Sequence, residues 1–142
     1  IGEGEEYYSV IEEVKRTNLE SSFIFFGRSY DKELLSFCYE KSISSLIPSH
    51  AGLSIIQSIA HSVPVITSNN RYDHPPEFSY LRHLHNSLLY KSNDALDLAK
   101  KIYMLIDDKK LQNEMKINAH KDFNSNYSPT NMAKNFLNII DG

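Results

Sequence analysis

The sequence predicts an α/β fold, a doubly wound parallel sheet continued by a helical C-terminal tail. Three observations predict it. Short apolar runs alternate with amphipathic stretches between Glu5 and Tyr90, turn residues stop each run, and from Asn93 onward the pattern is helical throughout. Strands separated by helices and short loops pair in parallel, and a parallel sheet is covered on both faces.

Each element has its own signal. From Glu5 to Asn18, Tyr7, Val10, Ile11 and Val14 recur at three- and four-residue steps, the spacing of one helix face. Phe23-Ile24-Phe25-Phe26, stopped by Gly27, reads as a strand buried on both faces. Asp31 caps a helix carrying Leu34, Leu35, Phe37 and Cys38, and Ile43 to Ile47 reads as a strand ending at Pro48. Gly52 to Ala60 is an apolar helix, Val63 to Thr67 a strand, Pro76 the start of a short helix, and Ser87 to Tyr90 the last strand. The tail carries three stripes: Ala95, Leu98, Ala99, Ile102 and Ile106; Leu111, Met115 and Ala119; and Met132, Phe136 and Ile140. Asp107-Asp108-Lys109-Lys110 reads as a solvated turn between tail helices. Ile1 supplies barely one residue of strand before the Gly2-Glu3-Gly4 turn, so residues 1–142 are expected to form a partial domain whose first strand and helix are missing.

Composition narrows the function classes. With 142 residues, 41% of them hydrophobic and 23% charged, the chain suits a single folded domain. A formal net charge of -3 supplies no basic field for DNA or RNA. No apolar run reaches the roughly 20 residues of a membrane helix. The single cysteine, Cys38, reads as a small buried hydrophobe and leaves no Cys-x-x-Cys pair; with His83-x-His85 lacking a carboxylate at useful spacing, no metal is expected.

Open parallel sheets bind ligands beyond the carboxyl ends of their strands. That rule selects the loops Gly2 to Glu5, Gly27 to Asp31, Pro48 to Ser54 and Asn69 to Glu77. The third is the most informative, because a strand runs through small residues straight into a helix start. Free N–H groups at Gly52, Leu53 and Ser54, with the helix dipole, suit a diphosphate. His50 and His74 lie on loops at the cleft edge, either as sugar or diphosphate contacts or as solvated loop histidines. Glu77 is the acid on that side, either a catalytic group or a carboxylate that stabilises its own helix start. Arg28 is either a phosphate or base contact or a surface charge.

The run from Pro48-Ser49-His50-Ala51-Gly52-Leu53-Ser54 through Gln57 to Val63-Pro64-Val65-Ile66-Thr67 resembles the signature of family 4 glycosyltransferases. The likeness extends to Ile1-Gly2-Glu3-Gly4, Phe26-Gly27, Pro76-Glu77, Asn86-Ser87-Leu88-Leu89 and the tail residues Met115, Asn118, Ala119, Tyr127 and Met132. It implies the C-terminal, Rossmann-like half of a two-domain enzyme of the GT-B type. That half holds the nucleotide-diphosphate sugar for a retaining, metal-free transfer to a saccharide or lipid-linked acceptor, with a UDP-sugar as the favoured donor and no cofactor. Carried over by position, Ala51, Gly52, Leu53 and Ser54 hold the diphosphate, Gln57 faces the ribose, Gly27 and Arg28 line the base pocket, and His74 joins the donor contacts. Ser49, His50 and Glu77 stand at catalytic positions. The missing N-terminal domain is expected to hold the acceptor, so residues 1–142 alone are expected to be inactive. A cytoplasmic location, with access to the inner face of the cell membrane, is implied as well.

The chain departs from the family pattern at two positions. Where two glutamates usually stand seven residues apart, it has Ser49 and Gln57. Gln57 still hydrogen-bonds hydroxyls, but Ser49 supplies no negative charge near the reacting carbon. Bacterial polysaccharide-type members that lack both acids are the most similar subgroup. The alternative is a non-catalytic nucleotide-sugar-binding or scaffold domain that has lost the catalytic acids.

Overall fold

The computed structural model describes residues 1–141, which fall within two compact units, Ile1–Cys38 and Tyr39–Gly142. In the first unit, α1 (Tyr7–Arg16) forms where the periodicity predicts a helix. Val14 is its buried residue, and Lys15 and Arg16 complement the dipole at its C-terminal turn. A 3-10 turn, Glu20–Ser22, leads into an extended stretch from Phe23, and Gly27 turns the chain at φ +64°, a conformation glycine adopts without strain. α2 (Lys32–Lys41) then carries the chain into the second unit. Asp31 caps it as expected, accepting from the Glu33 and Leu34 amides at 2.9 and 3.3 Å.

The buried strand expected at Phe23 to Phe26 is not formed. The segment is extended, but no ladder pairs it among the described residues, and Ile24 is 78% exposed. A strand exists only on its neighbours' hydrogen bonds. Here the backbone bonds found are Phe23 N–H to Glu20 O at 3.3 Å and Gly2 N–H to Gly27 O at 2.7 Å. Aromatic contacts within the unit, Tyr7 edge-on to Phe25 and Phe23 stacked on Phe25, partly cover the rings.

The second unit runs β1 (Ser45–Leu46), α3 (Leu53–Ala60), β2 (Val65–Ser68), β3 (Ser87–Tyr90), α4 (Ala95–Asp107), α5 (Lys109–Asp122), a π-helical turn Phe123–Tyr127, and α6 (Pro129–Asp141). The sheet order is β1-β2-β3, both pairings parallel, with Val65 beside Ser45 and Ser87. The β2–β3 crossover is built of two 3-10 turns, Arg71–Asp73 and Pro76–Tyr80, so the short helix expected at Pro76 is the tighter form.

Both faces of the sheet are covered, as the doubly wound reading requires. Val65 and Leu89 face one cluster with Ala51, Ile55 and Ile59; Ile66 and Leu88 face another with Leu105 and Met115. Truncating a fully buried Ile55 or Ile59 to alanine costs about 2–5 kcal/mol at such sites. α5 serves both faces, through Met115 and Ala119.

The tail differs from expectation in two places. α4 turns Leu98, Ile102 and Leu105 inward and leaves Ile106 41% exposed. On α6, Met132, Phe136 and Ile140 are 45%, 64% and 63% exposed, so that stripe is not packed within the described residues. The turn at Asp107-Asp108 is as expected, and Asp108 caps α5 through the Leu111 amide at 2.9 Å.

A buried carboxylate ties the tail to the sheet. Asp122, 6% exposed, accepts from Asn86 Nδ2 at 2.8 Å and from Arg82, and it lies 3.2 Å from His85 Nε2. The fully buried Asn86 side chain also accepts the Arg82 amide at 2.8 Å and donates to Tyr80 O at 3.0 Å. Removing Asp122 leaves those donors unanswered. Because the Arg82 side chain is about half exposed, water partly compensates, and Asp122→Ala is expected to cost about 2–3 kcal/mol. Thermal melting should show a Tm lower by roughly 6–12 °C; a shift below about 3 °C would mean that water satisfies the network.

His83 gives a pH dependence. Its Nδ1 accepts the Leu89 amide at 3.0 Å, and burial first, then Lys101, holds its pKa below the usual value, with Asp97 opposing. A depressed histidine pKa means that the unfolded chain takes the proton first. This contribution to stability is therefore full above about pH 6.5 and is lost as pH falls below it. Urea midpoints measured from pH 7.5 to 5.5 should fall more steeply for the wild type than for His83→Asn, which keeps an acceptor and cannot titrate; parallel curves would remove His83 as the cause.

Candidate functional site

Beyond β1 the chain enters the loop from Pro48 to Gly52. Tyr90 Oη donates to Pro48 O at 3.2 Å, and His50 turns the backbone at φ +51°. That turn aims two successive amides at the neighbouring loop. His50 N–H donates to Asp73 O at 3.0 Å, and Ala51 N–H donates to His74 Nδ1 at 3.2 Å. Gly52 then caps α3 without any side-chain hydrogen bond, its carbonyl accepting the Ile55 amide at 2.8 Å. Among the described residues no hydrogen bond reaches the amides of Gly52, Leu53 or Ser54. Three donors and the positive end of a helix dipole are thus left open together, the arrangement that binds anions.

The facing loop, Asn69 to Glu77, is braced from within. Asn69 N–H donates to Tyr90 O at 2.8 Å, and Asn70 caps the first 3-10 turn through the Tyr72 amide at 3.3 Å. Arg71 Nη1 donates to His74 O at 2.9 Å, with its guanidinium 5.7 Å from the Phe78 ring centre. Pro75 closes against α3: a Cβ built on Gly52 would lie 3.3 Å from Pro75 Cγ and 4.0 Å from Glu77 Oε2. A side chain there would press on Pro75, which would have to give by a few tenths of an ångström. Glu77 Oε2 is itself buried and has no hydrogen-bond partner.

The structure brings four of the sequence-selected residues together: Ala51, Gly52, His74 and Glu77. Two of them take a different part from the one expected. Ala51 is fully buried and its amide is occupied by His74, so it has no donor left for a diphosphate. His74, expected as a donor contact, is 7% exposed, and both ring nitrogens are engaged within the protein. Ser49 and His50 are exposed on the loop, with Ser49 Oγ 3.2 Å from His50 Nδ1. Leu53 is 73% exposed and Ser54 half-buried at the start of α3. Gln57, one turn on, is exposed; its Oε1 lies 3.5 Å from Tyr39 Oη, at the limit of a hydrogen bond, and its Nε2 remains open. Gly27 and the exposed Arg28 belong to the first unit.

Sequence reasoning did not find Ser68, Asp73 or Phe78 as partners in this arrangement. The signal available was a histidine directly before Pro75-Pro76 with an aromatic residue four positions on. Among the described residues, no group of three or more His, Cys, Asp or Glu side chains is gathered to hold a metal ion. No helix among them is long and apolar enough to cross a membrane.

No curated protein matches the chain. Among solved structures, HepE from Anabaena, in complex with UDP and glucose, superposes with a TM-score of 0.80 at 17% identity, over 99% of this chain and 39% of its own. A point mutant of TarM from S. aureus, in complex with fondaparinux, alpha-GlcNAc-glycerol and UDP, gives 0.78 at 20%, over 98% and 28%. The C-terminal domain of the group 1 glycosyl transferase LpcC from Francisella tularensis gives 0.72 at 23%, over 86% and 62%. The chain therefore spans from 28% to 62% of the length of these structures, and the likeness establishes the Rossmann-like fold of GT-B C-terminal domains. The family described as "Glycosyl transferases group 1" matches residues 1–122, and the chain belongs to that family.

Proposed function

We propose that this chain binds the nucleoside diphosphate of a sugar donor at the start of α3, as the donor-binding part of a longer glycosyltransferase. The observation that carries the reading is the set of open amides at Gly52, Leu53 and Ser54 beside the unpartnered, buried Glu77 Oε2. The amides and helix dipole suit a diphosphate. Glu77 Oε2 suits a sugar hydroxyl, a donor that would relieve the cost of a buried, unpaired oxygen. Gln57 Nε2, one turn along α3, suits a ribose hydroxyl. The UDP held by the similar HepE and TarM structures supports a UDP-sugar as the donor. In this reading Ser49 and His50 face the sugar. The acceptor, a saccharide or a lipid-linked saccharide, is held largely by a further domain of the full-length enzyme. Transfer is retaining and needs no metal, it takes place in the cytoplasm or at the inner membrane face, and residues 1–142 alone turn over negligibly.

The second reading is a binding or scaffold domain without catalysis. It is favoured by the neutral side chains at Ser49 and Gln57, which leave the sugar's reacting carbon without a carboxylate at the position of Ser49.

Calorimetric titration with UDP, GDP and ADP tests donor binding. UDP should bind saturably and more tightly than the other two. Gly52→Val, whose side chain would force Pro75 away, should weaken binding more than tenfold, and Gln57→Ala about fivefold, the value of one lost hydrogen bond. A folded wild type that binds none of the three would reject the donor site.

The role of Glu77 separates from that of the amides. Glu77→Ala should leave the affinity for UDP within about twofold while weakening a UDP-sugar about tenfold, as expected for losing a charge-assisted hydrogen bond. An equal loss for both ligands would place Glu77 on the diphosphate side or make it purely structural.

A further inference from the structure

We propose that His74 is a positioning residue for the donor site, held in the Nε2–H tautomer, which sets the α3 amides by fixing the amide immediately before them. The inference rests on the donor-binding reading for its consequence, but its geometry stands independently of that reading.

The ring is specified on every side. Ala51 N–H can donate to Nδ1 only if that nitrogen carries a lone pair, so the proton of the neutral ring is on Nε2. There it meets Ser68 O at 3.1 Å and Ser68 Oγ at 3.0 Å, at the end of the fully buried strand β2. One face of the ring stacks on Phe78, centroids 4.6 Å apart and planes 4° from parallel. The carbonyl of His74 is held by Arg71 at 2.9 Å. With 7% of the residue exposed and both nitrogens used, no edge of His74 is left for a ligand.

What it does offer is a rigid post between the sheet and the loop. Ser68 belongs to the central strand, and Ala51 directly precedes Gly52, the first of the three open amides. The ring converts the position of β2 into the position of Ala51. The neighbouring bond from His50 N–H to Asp73 O keeps the same two loops in register. Because a Cβ on Gly52 would lie only 3.3 Å from Pro75, the residue after His74, and 4.0 Å from Glu77 Oε2, a loss of this spacing moves the α3 start and Glu77 relative to each other. Binding groups that must converge on one ligand are sensitive to displacements of about 1 Å.

Two variants divide the ring's contributions. His74→Asn keeps an acceptor near the Nδ1 position, whereas His74→Phe keeps an aromatic ring to stack and loses both hydrogen bonds. On the wild-type chain, NMR should show a nitrogen–nitrogen coupling across the Ala51 N–H to His74 Nδ1 bond, a readout that needs neither variant nor ligand. In His74→Phe the amide resonances of Gly52, Leu53 and Ser54 should shift and the affinity for UDP should drop at least tenfold. In His74→Asn, which keeps the acceptor for Ala51 but loses the reach to Ser68, those resonances should shift less than in His74→Phe and the affinity should fall only about threefold. Absence of the coupling, or equal losses in the two variants, or a His74→Phe chain that binds UDP as the wild type does, would overturn the assignment. A wild type that shows the coupling and the resonance pattern but binds no nucleoside diphosphate would reject the donor reading and leave His74 as the residue that sets the loop.

Discussion

The second unit's candidate site depends on a pair of loop-to-loop hydrogen bonds, His50 N–H to Asp73 O and Ala51 N–H to His74 Nδ1. Everything upstream of them makes them possible. The parallel sheet ends β1 and β2 side by side, so their following loops leave the same edge. The left-handed turn at His50 then points two consecutive amides at the second loop. Everything downstream depends on where those two amides end. Once Ala51 is fixed, Gly52 must fall against Pro75, and α3 starts with its next three amides open. A backbone amide buried without a partner costs more than an ordinary hydrogen bond contributes, so the pairing with His74 also settles what the buried Ala51 would otherwise lack.

The sheet of the second unit was legible because two-sided burial leaves little freedom in composition. Val65-Ile66-Thr67 and Ser87-Leu88-Leu89-Tyr90 are short apolar runs bounded by turn residues, and each becomes a strand with alternate residues in different clusters. The same reasoning fails at Phe23-Ile24-Phe25-Phe26, although that run is more apolar. Composition reports what a segment tolerates, and a strand also needs neighbours to pair with, which the run does not reveal. On α4, Ile106 and Leu105 compete for the inward face; a rotation of one residue decides it, and packing of Leu105 on Met115 and Leu88 wins over the five-residue stripe read from spacing.

The site was half legible for a related reason. A helix start after Pro48-Ser49-His50-Ala51-Gly52 signals open amides through local sequence alone, and those at Gly52, Leu53 and Ser54 are indeed open. Which amide of the run is taken depends on His74, more than twenty positions away, and no local pattern encodes that pairing. A loop histidine at a cleft edge looks like a ligand contact until its nitrogens are accounted for. The Asn86 motif shows the opposite case. Its resemblance to a family turn gave no structural role, yet the side chain proves to be fully buried and answered by Arg82, Tyr80 and Asp122, which places the end of α5 against the strand β3 that follows it.

The neutral residues Ser49 and Gln57 acquire a physical sense beside Glu77. In the proposed reading a diphosphate at the start of α3 brings its own negative charge, and each carboxylate nearby repels it at the short distances involved. A neutral Gln57 still donates a hydrogen bond without that repulsion, at the loss of a charge-assisted acceptor for ribose. Glu77 is placed where a single carboxylate is best tolerated, within 4.0 Å of the Cβ position at the cap of α3, so the positive end of the helix partly offsets its charge. Of the two carboxylates on these loops, Asp73 and Glu77, it is Glu77 that has a buried oxygen without a partner, and catalysis in the proposed reading rests on what that oxygen contacts in the donor sugar, since neither Ser49 nor Gln57 brings a carboxylate to share the task.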